Sequence, residues 1–119
     1  PRGIATGRGG EEMITVVYHR SYNRVTVSGH AHSDEKGRDL VCAATSALAY
    51  TLAANVDSLL SQGNVREPVI DLREGWAEIS CNPKSNMKAV VTLVFDTVCT
   101  GFELLAMRYP EFVCFEPRV

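Results

Sequence analysis

With 119 residues, 12 Lys and Arg against 14 Asp and Glu, and a formal net charge of −2, the chain has the size of one domain and lacks the basic excess of a phosphate-binding surface. No uninterrupted apolar run approaches the ~18 residues of a membrane span, and no basic start followed by an apolar middle marks a signal peptide, so a cytosolic protein is expected. Cys42, Cys81, Cys99 and Cys114 are irregularly spaced with no C-x-x-C pair, and in a reducing compartment they remain thiols.

Residues 1–12, rich in glycine and charge, read as a flexible leader or an expression remnant, with a single domain over 13–119. The β-branched runs Ile14 to Tyr18 and Arg24 to Ser28 flank Ser21-Tyr22-Asn23 and predict a hairpin. A polar loop follows, and residues 40–61 predict a helix whose apolar face is Leu40, Ala44, Leu48, Leu52, Val56 and Leu59 or Leu60. Gly63 and Asn64 close it. A second hairpin is expected from Val69–Leu72 and Trp76–Ser80 around Glu74-Gly75. The second helix is predicted to begin near Asn82-Pro83 or Ser85 and to bury Met87, Val90 or Val91, Val94, Val98, Phe102 and Leu105; Pro110 stops it, with room for a short last strand over Phe112–Phe115. The order ββαββα, with that possible final strand, predicts a two-layer α+β domain, an antiparallel sheet of two hairpins carrying two helices on one face. An exposed sheet face and short edges favour a homodimer.

The chemistry-bearing segment is Gly29-His30-Ala31-His32, a polar loop, then Gly37-Arg38-Asp39-Leu40-Val41-Cys42-Ala43-Ala44-Thr45-Ser46. With Asp39 as N-cap, Cys42 falls in the first helical turn, where unpaired N–H groups and the helix dipole favour a thiolate. A helix end supplies only roughly 0.3–1 kcal/mol, so a reactive thiol needs a further partner. His30, just past the second strand, is the candidate base, and His32 is a second one. Gly29 and Gly37 permit turns, and Gly37 is a candidate hinge. Asp39 is expected first to cap the helix, a role that can coexist with orienting His30; Ser46, one turn beyond Cys42, either bonds the catalytic groups or bonds the Cys42 carbonyl. The backbone N–H groups of Cys42 and Ala43 are candidate oxyanion donors. Cys81, Cys99 and Cys114 sit in apolar surroundings and read as small buried hydrophobes.

This segment resembles the ribosomal-processing cysteine protease family Prp, whose pattern is Gly-His-Ala, a variable loop, then Gly-x-Asp-(Ile/Leu)-Val-Cys-Ala-(Ala/Gly)-x-Ser, and the likeness extends from Met13 to about Phe115. The resemblance implies a cysteine endopeptidase with His30 as base and Cys42 as nucleophile, working through a thioester without a cofactor. It implies a substrate as well, the N-terminal extension of a large-subunit ribosomal protein, with an apolar, aromatic-containing recognition sequence cut before a small residue. It also implies a homodimer. Two rivals stand beside it. One is a metal site from His30, His32 and Cys42, which the remaining cysteines do not extend because they lack ligand spacing. The other is a non-catalytic ribosome-assembly module that grips its partner with the polar loop.

Overall fold

The computed structural model describes residues 13–29 and 38–119. Among the described residues, five strands form one sheet: β1 Ile14–His19, β2 Arg24–Ser28, β3 Val65–Arg73, β4 Trp76–Pro83 and β5 Val113–Arg118. Their spatial order is β3-β4-β2-β1-β5. Two long helices, α1 Arg38–Ser61 and α2 Lys88–Arg108, cover one face, so the domain is α+β in two layers, as expected. The sheet departs from the all-antiparallel expectation in one place. β5 runs parallel to β1, pairing Val113 with Ile14 and Arg118 with His19. A parallel neighbour needs a crossover, and α2 supplies it.

Alternation sets the sheet's two faces. Ile14, Val16 and Tyr18 on β1, Val25 and Val27 on β2, and Ala77, Ile79 and Cys81 on β4 are buried beneath the helices. From α1, Val41, Leu52 and Val56 are fully buried; from α2, Val91, Phe95 and Phe102 are. Each such side chain withdrawn from water contributes about 1.5–3 kcal/mol before ordering costs. The helices meet closely at Gly101, where a Cβ would stand 2.8 Å from a methyl of Leu48.

Several expected boundaries and faces shift. The buried face of α1 starts at Val41 and continues through Thr45 and Ala49, whereas Leu40 is exposed, because the stripe follows 3.6-residue geometry back from Leu52. On α2 it is Val91, not Val90, that is buried. That helix begins at Lys88 rather than near Asn82-Pro83 or Ser85, since Asn82 and Pro83 extend β4 against Arg66 and Val65. β3 likewise starts earlier than Val69: a bulge between Arg66 and Val69, with Glu67 at φ 51°, carries the strand past Pro68. Both helices are, by length and average composition, long and apolar enough to reach across a membrane, more so than the absence of an uninterrupted apolar run suggested. Each spends part of that apolar surface on the sheet.

The β1–β2 turn is tied to α2 by two polar clusters. Tyr18 donates its hydroxyl to Asp96 at 2.7 Å, and Arg20 donates through Nε and Nη2 to the same carboxylate at 3.0 Å each. Arg20 holds the Asp96 carboxyl below its ordinary range, while burial, then Asp96, push the Tyr18 phenol up. In the turn, Asn23 is completely buried in the left-handed conformation. Its amide donates to Thr92 at 3.1 Å, its side-chain oxygen accepts from Lys88 at 2.6 Å, and its carbonyl accepts from the Cys81 amide at 3.3 Å. Asn23→Ala is expected to cost about 2–3 kcal/mol, from a strained backbone and unpaired buried partners, read as a lower urea midpoint; Asn23→Gly should recover only the backbone share.

Candidate active site

The end of β2 is the rigid edge of the site. Gly29 has φ +93°, and a Cβ there would lie 2.2 Å from the Met13 carbonyl oxygen, so both conformation and space require glycine. Its amide donates to the Gly75 carbonyl at 3.0 Å, tying the strand end to the β3–β4 turn. This turn needs Gly75 at φ +77°.

Beside this junction lies a cavity of about 490 Å³. Gly29 and Val27 form one side, Cys42, Ser46, Ala49 and Tyr50 of α1 another, and the turn from Leu72 to Ala77, with Trp76, the third. Cys42 is half-buried in this wall. Side chains of a helix lean toward its N-terminus, so the thiol reaches over the preceding turn at the open end of α1.

Of the residues predicted for the site, Gly29, Cys42 and Ser46 share the cavity. His30, His32 and Gly37 lie outside the described residues. Asp39 is not the N-cap: α1 has begun by Arg38, which places Asp39 inside the first turn, where its charge still complements the helix dipole. The same start corrects the oxyanion expectation. In a helix running from Arg38, the amides of Cys42 and Ala43 come after the unpaired first turn and bond carbonyls four residues back. The side-chain hydroxyl that bonds the Cys42 carbonyl, at 3.0 Å, is that of Thr45, which also bonds the Val41 carbonyl. Ser46 is exposed on the cavity wall.

Tyr50 and the Leu72–Trp76 turn were not singled out by the sequence. Tyr50 was within reach, because it follows Cys42 and Ser46 along one helical stripe at three-to-four-residue spacing. The turn was not, because its place beside α1 comes from sheet order.

The other thiols differ from Cys42 in surroundings. Cys81 and Cys99 are buried, and desolvation pushes them up to about 11 and about 12, with the Asp96 charge adding to the effect at Cys99. Half-buried Cys114 is raised by desolvation and by Glu116. A thiol held protonated is a poor nucleophile. Brief iodoacetamide treatment of the native chain at pH 8, followed by peptide mass mapping, should label Cys42 and leave Cys81 and Cys99 unmodified until the chain is unfolded.

Solved structures share this fold. SMU.848 from Streptococcus mutans is 28% identical, aligning 92% of this chain with 97% of that one at a TM-score of 0.66. An essential ribosomal processing protease Prp from S. aureus, solved with a substrate peptide, is 18% identical over 89% of this chain and 98% of that one, at a TM-score of 0.65. The same protease with a covalently linked product peptide is 20% identical over the same shares, at a TM-score of 0.63. No curated protein matches the sequence. The class is therefore that of an α+β cysteine protease. The family model described as Cysteine protease Prp matches residues 13–114, and the chain belongs to that family.

Proposed function

We propose that this protease removes the N-terminal extension of a large-subunit ribosomal protein, with Cys42 as nucleophile and His30 as base. The observation that carries the assignment is that Cys42 lines the same cavity as Gly29, the residue covalently joined to His30. The strand end that precedes His30 in sequence is itself fixed by Met13 and Gly75. The ribosomal substrate is supported by family membership and by the S. aureus relative, which is named a ribosomal processing protease and was solved with a peptide.

In the reaction, the Cys42 proton passes to the His30 imidazole and the sulfur attacks the scissile carbonyl. The tetrahedral intermediate collapses to a thioester as His30 protonates the departing amine. Water, deprotonated by His30, then attacks the thioester, releasing the new carboxylate and restoring the thiol. Asp39, one turn before Cys42, is suited to orient His30, and Ser46 to hydrogen-bond bound peptide.

The test is incubation with the extended ribosomal protein, read by intact mass. Cys42→Ala and His30→Ala should each abolish cleavage, a loss of about a thousandfold or more, while His32→Ala retains it. If His32→Ala is the variant that fails, the base has been misassigned. Should Cys42→Ser instead bind its partner and support ribosome assembly normally, the chain is the non-catalytic module.

The cytosol is the proposed location, on the strength of four unpaired thiols. A homodimer is proposed from the outer face of α2, where Val90, Leu93, Leu104 and Met107 form an exposed apolar stripe at helical spacing. Light scattering should return about twice the 13.0 kDa chain mass, and Leu93→Glu should return a monomer.

A further inference from the structure

We propose that the substrate chain docks as an added strand on the outer edge of β3, along Val69–Arg73, and is led from there into the cavity that holds Cys42. This rests on the peptidase reading above and specifies how that site takes its substrate. Among the described residues, β3 is an edge strand, hydrogen-bonded to β4 alone. An edge of this kind is a template for an extended peptide.

The ladder identifies which groups are free to pair. In an antiparallel sheet each residue turns its N–H and C=O to the same side, and neighbours turn to opposite sides. On β4 the Cys81 amide donates to Asn23, and in the turn before it the Gly75 carbonyl accepts from Gly29; both partners lie on the β2 side. Ala77 and Ile79, sharing that parity, face β2 as well, which leaves Trp76, Glu78 and Ser80 to bond β3. Their partners are Arg73, Asp71 and Val69. The residues between, Ile70 and Leu72, therefore aim their N–H and C=O groups outward.

Their side chains fit the same use. Ile70 pairs with Ile79 and Leu72 with Ala77, both buried, so Ile70 and Leu72 sit on the helix-covered face of the sheet. They nevertheless remain 41% and 39% exposed, and Tyr50 across from them on α1 is 59% exposed. Leu72 and Tyr50 also line the Cys42 cavity, which makes the apolar ledge continuous with it. At the far end the edge is closed to pairing: Pro68 has no N–H, and the bulge at Glu67 breaks the register. The usable edge is thus a short segment that ends beside the nucleophile. A peptide on it would pair with Ile70 and Leu72 and place every second side chain against the Ile70–Leu72–Tyr50 ledge. The expected substrate is an unstructured segment with apolar residues at alternate positions on one side of the scissile bond.

The test uses Cys42→Ser protein and a synthetic peptide spanning the extension junction, with cleavage by wild-type protein measured in parallel. Binding should slow hydrogen exchange at the Ile70 and Leu72 amides. A scan of N-methylated peptides should weaken binding with a period of two, by about tenfold at each position whose N–H pairs with the edge. Peptide that is cleaved by wild type and bound by Cys42→Ser, yet leaves those amides unprotected and tolerates N-methylation evenly, overturns edge docking and leaves the peptidase intact. If wild type does not cleave the junction, the ribosomal reading fails, and docking of this substrate fails with it.

Discussion

Everything at the site hangs on one contact among three backbone segments. Gly29 presses its Cα against the Met13 carbonyl, where no β-carbon fits, and gives its amide to Gly75. That junction fixes the end of β2 against the start of β1 and the tip of the β3–β4 hairpin. Two walls of the cavity are positioned by it, and α1 supplies the third with Cys42. The packing beneath is ordinary two-layer α+β packing, built on Phe95, Phe102, Leu52 and Ile79. What distinguishes this end of the sheet is that the chain is held there by a glycine in a conformation other residues rarely adopt.

The four cysteines show how far surroundings outweigh residue type. Cys99 lies in the core near Asp96, and Cys81 lies beneath the helices; both are kept protonated by loss of water. Cys42 stands half-exposed at the open end of a helix, in the wall of a cleft. Thiols that are buried and held protonated are also the less open to alkylation and oxidation.

Much of this was legible in the sequence. Ile14 to Tyr18 and Arg24 to Ser28 announce strands through β-branching and alternation, and Gly63 with Asn64 ends α1 with amides bonding back to Leu60 and Leu59. The motif around Cys42 carries the family resemblance, which the family match over residues 13–114 bears out. Less legible were features set by distant pairing. Nothing local tells Val113 that it will lie parallel to Ile14, or extends the last strand from Phe115 to Arg118. The strand was expected only from Val69, because the bulge that carries it past Pro68 needs a partner strand to define it. Asp39 read as a cap because its residue type suits that place, yet the helix had already started at Arg38. The cavity walls at Tyr50 and Trp76 emerge only when sheet order brings α1 beside the second hairpin.

The parallel pairing of β5 with β1 also bears on how the domain is assembled. The first strand of the described chain has β2 as a neighbour almost at once, but its other flank stays open until the last strand arrives by way of α2. Closing that flank joins opposite ends of the domain, the kind of non-local contact whose chain-entropy cost slows folding. A nascent copy emerging from the translation machinery therefore carries an incomplete sheet until β5 itself has been made.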